Sequence, residues 1–223
     1  MINELEDALN NIRKQFIMLS ASMINANAGI ERVMSNLEPF SEKLIQAGWT
    51  INMRMMPSHI IEISEIIEIN EIDDYYYSFF MDNKRSELIN LQSECIKMLE
   101  TGLAKAFDEC IYAFDNHKYI ICANTLLAIL EGVLSKYTKD KSDIRMIKPC
   151  REQFEQTPED HVINRMFWYV NFKFVEQLYK KSNFNEAEPS NINRNWLLHG
   201  RSSFDIREID CLRLINTICT LCN

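Results

Sequence analysis

Glycine and proline are scarce in this chain, five of each in 223 residues. Sheet-rich folds place these residues at their many tight turns, so the shortage argues against a hairpin-built protein and for helices. No Gly-rich phosphate loop, nucleophile elbow or HExxH pair occurs either. The longest apolar stretch, about residues 119–134, is broken by Asn124 and Glu131. It falls short of the ~18 continuous apolar residues that a membrane span requires. The first residues show no basic-then-apolar leader, and the seven cysteines form no regular framework. An odd set of that kind suits reduced thiols. The expectation is a cytoplasmic protein with no membrane span and no metal or other cofactor.

What is present fits one large domain, or a small domain with an extension. A hydrophobic fraction of 47% supplies a core. The net charge of −8 excludes a protein that coats nucleic acid through bulk electrostatics. That charge is uneven. Residues 190–223 hold four arginines against three carboxylates, a local +1, which leaves −9 for the remainder.

Along the first fifth of the chain, Ile2, Leu5, Leu9, Ile12, Phe16, Leu19, Met23, Ala26, Ile30, Val33, Leu37, Phe40 and Leu44 alternate spacings of three and four. This is a heptad seam on paper. Gly29 and Pro39 interrupt it, so two or three consecutive amphipathic helices are expected rather than one rod. They would pack within their own domain or form a coiled coil between subunits. Residues 48–57 read as a loop or short strand, and 60–80 as an acidic helix or pair of helices, with a strand also open for the alternating IEISEIIEI. From about Lys84 one long helical face runs through Leu88, Leu91, Cys95, Met98 and on to Phe114. A break at Asn116-His117 precedes 119–137, apolar nearly all round and expected at the centre of a bundle. Residues 138–150 are polar and end near Pro149. An aromatic-rich helix follows at about 160–181. The working division is 1–80, an amphipathic helical region, and 81–223, a helical bundle.

The last part of the chain carries the chemistry. In Asn193-Arg-Asn-Trp-Leu-Leu-His-Gly-Arg201, Ser190 is expected to cap the helix and Gly200 to end it. Asp205-x-x-Glu208 is expected to cap the next one. Arg194 offers a permanent cation and His199 a group that titrates near neutral pH, a pair able to hold a phosphate and move a proton. Asn195 and His199, at i and i+4, share a helical face, and the negative helix end would favour protonated His199. Trp196, Leu197 and Leu198 would anchor the helix in the core. Such a pairing is not rare by composition, and Arg54-MMPS-His59 is a second copy. Pro57 lies inside that copy, so it cannot form one uninterrupted helical face. Cys219-x-x-Cys222 lacks a second pair and reads as buried thiols rather than zinc ligands. His59, His117 and His161 show no metal spacing.

Arg194-Asn195-x3-His199 resembles the R-x4–6-H motif of the HEPN superfamily, the higher eukaryotes and prokaryotes nucleotide-binding domains. Residues 109–137 look like the paired upstream helices of that group, with Tyr119 opening the second helix and Glu131 embedded in it. Residues 194–218 look like its motif helix, Gly exit and closing helix. The resemblance covers about 85–223. It implies an all-α antiparallel helical bundle with an N-terminal helical extension, here 1–80, that forms a homodimer and brings two motifs into one cleft. It further implies a metal-independent endoribonuclease acting on RNA, in phage defence or a toxin system, with an antitoxin or regulatory protein as a further partner. Arg194 would bind the scissile phosphate, His199 would act as general acid or base, and Asn195 would orient one of them. Cleavage would use the RNA 2′-hydroxyl. Glu131 would pair with Arg194 or His199, or else sit as a charge at the helix rim. Two other functions remain open, a non-catalytic dimerising module that binds a protein through residues 1–45 and a small-nucleotide sensor.

Overall fold

The computed structural model describes residues 28–52, 54–137 and 146–222. Among these the chain is all-α, with no strand. Residues 28–35 are helical, and after a turn at Asn36 come α1 (Leu37–Ala47), α2 (Pro57–Glu65), α3 (Ile69–Met98), α4 (Thr101–Asp115) and α5 (Tyr119–Ser135). Then follow α6 (Ile147–Gln156), α7 (Val162–Leu178), the short α8 (Arg194–Leu198) and α9 (Glu208–Cys222). The helices pack as a bundle. α4 pairs with α5 and α6 with α7, α1 lies against α7 and α3, and α9 packs on α5 and α3.

The seam from Ile2 to Ala26 lies outside the described residues. Within them it behaves as a core face, with Ile30, Val33, Phe40 and Leu44 buried. The break falls at Asn36 rather than Pro39. Pro39 occupies the first turn of α1, where a missing N–H breaks no helical bond. Pro149 holds the same place in α6, so the polar stretch near it gives rise to a helix rather than to a linker only. The alternating 61–69 segment forms no strand: it is helical through Glu65 in α2, and 66–68 link it to α3 at Ile69. The long face expected from Lys84 to Phe114 is two helices, broken at Leu99 and Glu100, and Met98 is consequently exposed. α3 is itself interrupted at Asn83, Lys84 and Arg85, which take φ of 48°, 56° and 62°. The Arg85 guanidinium secures that turn by donating to Asp115 at 2.8 Å. Residue 80 falls inside α3, and buried side chains on both sides of it join one hydrophobic core.

The centre of the bundle is α9. Every residue from Asp210 to Leu221 is buried, whereas α5 leaves Ile120 and Ile121 exposed near its start. A helix buried all round must satisfy its polar side chains internally. Asp210, Arg213, Asn216, Thr217 and Thr220 recur at helical spacing and form a polar stripe. Extended residues 49–52 meet this stripe. Asn216 Nδ2 donates to the Thr50 carbonyl at 2.9 Å, Asn52 Nδ2 donates to Asn216 Oδ1 at 2.6 Å, and the Thr50 and Thr217 hydroxyls are 3.2 Å apart. Arg213, with 7% of its side chain exposed, donates to Asp73 at 2.7 and 2.9 Å and to Asp210 at 2.7 Å. It lies over the ring of Trp49, whose Nε1 also donates to Asp73 at 2.8 Å.

Gly48 makes this junction possible. It ends α1 in the left-handed conformation at φ +81°, and Trp49 N–H closes the turn on the Leu44 carbonyl at 2.9 Å. A Cβ there would stand 3.0 Å from Arg213 Cδ and Nε.

Removing the buried cation while leaving both carboxylates in place should be the costly change. Arg213→Ala is expected to lower unfolding free energy in urea by about 3–5 kcal/mol. Asp73→Ala, which leaves Arg213 its Asp210 partner, should cost less. Equal losses would mean that the double pairing is not what stabilises the junction.

Candidate functional site

Asn193 builds the local structure around the motif. Its side-chain oxygen accepts from the backbone N–H of Asn195 at 3.0 Å and Trp196 at 3.3 Å, which makes it the N-cap of α8. Its Nδ2 donates to the Lys180 carbonyl at 3.1 Å, and the Ser182 hydroxyl donates to its Oδ1 at 3.0 Å. The cap expected at Ser190 is therefore displaced by three residues, to Asn193, whose side chain ties the chain just after α7 to the start of the new helix. Gly200, at φ +66°, ends the turn as expected, with Arg201 N–H on the Trp196 carbonyl at 2.9 Å. The cap expected from Asp205 and Glu208 does not form. Asp210 instead accepts from Arg207 N–H at 3.0 Å and closes the first turn of α9.

Arg194, Asn195 and Glu131 come together. Arg194 Nε donates to Glu131 Oε1 at 2.9 Å across α8 and α5, and Arg194 Nη1 reaches Asn195 Oδ1 at 3.5 Å. Asn195 Nδ2 donates to the Lys180 carbonyl at 3.1 Å, so both motif residues are held in place. The Arg194 and Glu131 side chains are 30% and 28% exposed, a half-buried pair at the protein surface. Arg194 Nη2 has no partner among the described residues and remains able to donate to an anion. Glu131 thus pairs with Arg194 rather than with His199. Tyr179 lies beside this pair, and burial, followed by the nearby Glu131 carboxylate, pushes its phenol above the ordinary range. It stays protonated and neutral there.

His199 stands apart from these three. It is exposed, and among the described residues its ring makes no hydrogen bond. It contacts Phe184 edge-on, at 6.0 Å between ring centroids. The expected placement in the last turn of a helix is corrected, since α8 has five residues and His199 caps its end. So short a helix supplies little macrodipole to act on the imidazole. Residues five apart on a helix also project about 140° from each other. Arg194 therefore turns inward to Glu131 while His199 faces solvent. Trp196 and Leu197 anchor α8 as expected, but Leu198 is exposed.

The second Arg-x4-His copy is engaged in structural contacts. Arg54 bridges Glu87 at 2.9 Å and Glu94 at 2.7 Å. His59 Nδ1 accepts from Met56 N–H at 3.0 Å and closes the start of α2, with Pro57 at its first position. Cys219 and Cys222 lie with Cys95, whose sulfur is 3.1 Å from that of Cys222. Burial pushes the Cys150 thiol up to about 12, and the Cys219 thiol is also raised, by burial first. Among the described residues no three His, Cys, Asp or Glu side chains are placed to hold a metal ion, and no helix is long and apolar enough to cross a membrane.

Two neighbours of the motif are not marked as such by the sequence, in which Tyr179 reads only as a buried candidate of the aromatic-rich helix. Tyr179 ends an aromatic-rich helix and carries no mark that sets it apart from its core neighbours. Phe184, in the loop after α7, could have been found as an aromatic isolated in a polar stretch. A cleft of about 860 Å³ between α1, α3 and α7, lined among others by Glu38, Asp73, Lys173 and Arg213, includes none of the motif residues.

Asn193→Ala removes a cap and the tie to Lys180 together. Loss of a cap alone costs about 1 kcal/mol, so a larger drop is expected in urea unfolding. Faster amide exchange should appear in 194–201 before the rest of the bundle. Uniform acceleration across α9 would show that the cap is not local in its effect.

The chain matches no family model, no curated protein and no solved structure with which it was compared.

Proposed function

We propose that this chain is a metal-independent endoribonuclease of the HEPN type, acting as a homodimer on RNA in the cytoplasm. The observation that carries the reading is the state of Arg194. A carboxylate fixes its Nε while its Nη2 is left to donate, and His199, five residues on, is exposed. An arginine oriented this way is suited to a phosphate oxygen, because one edge of its fork is already set. The contrast with Arg54 and His59 supports the choice between the two copies, since Arg54 already faces two carboxylates and Arg194 one, and the His59 ring accepts from Met56 N–H whereas the His199 ring makes no hydrogen bond among the described residues.

Arg194 and His199 project in different directions within one chain, which favours a site completed by a second copy. Ile121 and Ala128, seven residues apart on α5, are exposed, as is Leu198 on α8, which packs against α5. An apolar surface next to Glu131 and Arg194 suits contact between two such chains. In that arrangement one His199 takes the proton from the RNA 2′-hydroxyl, whose oxygen attacks the adjacent phosphorus. The other His199 gives a proton to the departing 5′-oxygen, and a 2′,3′-cyclic phosphate remains. Arg194 stabilises the charge that develops on the phosphoryl oxygens, and Asn195 holds Arg194 in register. A role in phage defence or in a toxin system with a regulatory partner belongs to the same proposal.

End-labelled RNA incubated with the protein and EDTA tests it. Wild type should cleave, and both His199→Ala and Arg194→Ala should reduce the rate by at least about a hundredfold. Unfolding midpoints near wild type would show that the variants remain folded. Cleavage by His199→Ala at the wild-type rate would sink the assignment. No cleavage by any of them, with a dimer in sedimentation, would favour the non-catalytic dimerising module.

A further inference from the structure

The loop between α7 and α8 holds an aromatic ring in the open. Phe184 is 41% exposed, within a polar stretch that gives an apolar side chain little reason to be there. It is not a dangling residue. Asn183 Oδ1 accepts from Asn185 N–H at 3.2 Å, Asn183 Nδ2 donates to Glu186 at 2.9 Å, and Glu186 N–H returns to the Asn183 carbonyl at 3.0 Å. These bonds make a closed turn with Phe184 at its tip. The ring rests edge-to-face on Trp196 at 5.3 Å, stands 6.0 Å from the His199 ring and lies under the Arg201 guanidinium at 5.8 Å.

The charge around it differs from that of the whole protein. Residues 180–201 hold Lys180, Lys181, Arg194 and Arg201 against Glu186 and Glu188, a local +2 in a chain of −8. Glu188 is turned to the Ser202 hydroxyl and the Ser203 N–H, which it holds as an acceptor. An exposed ring among cations, one of them over the ring itself, is the combination that takes up single-stranded nucleic acid. The cations attract the backbone, and the ring stacks a base.

We infer that Phe184, together with Arg201, forms a stacking subsite for one unpaired nucleobase next to the phosphate that Arg194 and His199 handle. The inference rests on the ribonuclease reading for its substrate and narrows it to single-stranded RNA. A base inside a duplex has both faces covered by its neighbours and cannot reach the ring. The 6.0 Å between the Phe184 and His199 rings places the stacked base at or beside the nucleotide being cut.

Phe184 also covers Trp196, so the test must separate a lost ring from a lost cover. Phe184→Leu keeps an apolar side chain and removes the aromatic face, while Phe184→Tyr keeps the face. Binding is measured by fluorescence anisotropy in EDTA with a short labelled 2′-O-methyl single strand, which offers no 2′-hydroxyl for cleavage, and with a hairpin duplex of the same composition. Phe184→Leu is expected to weaken single-strand binding about fivefold or more, in line with the loss of one stacked base. Duplex binding and the melting temperature should stay at wild-type values, and Phe184→Tyr should bind like wild type. Equal weakening toward strand and duplex, or none toward either, would overturn the subsite.

Cleavage by wild type and the alanine variant at His199, measured alongside, keeps the two ideas apart. His199-dependent cleavage with unaltered single-strand binding by Phe184→Leu would remove the subsite and leave the ribonuclease. Phe184-dependent binding without any cleavage would support the base site and remove the catalytic reading. Neither activity would remove both.

Discussion

Arg213 is the side chain on which the arrangement of the helices depends. It lies in the middle of a helix buried on every side, and a buried guanidinium is tolerated only with carboxylates placed to receive it. Asp210 comes from its own helix, one turn away, and Asp73 comes from α3. The cation therefore fixes the rotation of α9 about its axis and its position against α3 at once. Trp49, stacked on Tyr76 at 4.2 Å and bonded to Asp73, adds the chain leaving α1 to the same point. The polar stripe beyond it is met by residues 49–52, so a slip of α9 by one residue would leave several buried groups unpaired. Nε of Arg213, against Gly48, has no acceptor among the described residues, which is the cost of packing the side chain that tightly.

This junction reaches the motif through a short path. Arg213 Nη1 approaches Asn191 Oδ1 at 3.4 Å, and Asn191 Nδ2 donates to the Gln46 carbonyl at 2.8 Å, at the end of α1. Two residues later Asn193 takes hold of the end of α7 and caps α8. A five-residue helix has no stability of its own, since helix nucleation is unfavourable and tertiary contacts must supply the rest. The side chains of Arg194 and Asn195 are thus positioned by asparagines and by α1, α7 and α9, and only secondarily by the helix that carries them. This explains how an exposed motif can be well placed without being buried.

Much of the fold could be read in the sequence because helix periodicity and glycine ends are local signals. The starts of α5 at Tyr119 and the stop at Gly200 follow from them. Two of the places where the structure departs from the sequence reading share a cause, which is that capping is competitive. Ser190 and Asp205 are good caps by type, yet Asn193 and Asp210 take the positions because the preceding chain delivers them there. The central helix was likewise misjudged. Apolarity alone selects α5, but α9 is more deeply buried, and its Asp210, Arg213 and Asn216 hide the fact, since their partners lie about 140 residues or more away for Asp73, Thr50 and Asn52. Of the site, the pairing of Glu131 with Arg194 was one of the readings open from sequence, because a carboxylate in an apolar helix needs a cation. Tyr179 reads from sequence as a core aromatic and Phe184 carries no reading, for their place beside the motif comes only from where the chain turns after α7.

Two copies of the same six-residue spacing in one chain show what such a motif does and does not specify. Arg54 and His59 carry the same side chains as Arg194 and His199, and the letters alone cannot rank them. What differs is the use to which the donors are put. Arg54 gives Nε to Glu87 and Nη1 to Glu94, and neutralises two carboxylates on α3. His59 spends its Nδ1 lone pair on a helix N-terminus. Arg194 has one carboxylate, which aligns it, and His199 has a ring neighbour but no hydrogen-bond partner among the described residues. A cation already balanced by two anions gains little from a third, whereas a cation held by one carboxylate at a surface with local positive charge can still gain from a phosphate. The difference between the two copies lies in how many carboxylates already face each guanidinium. It is set by the acidic character of α3 around Arg54 and by the single Glu131 on α5.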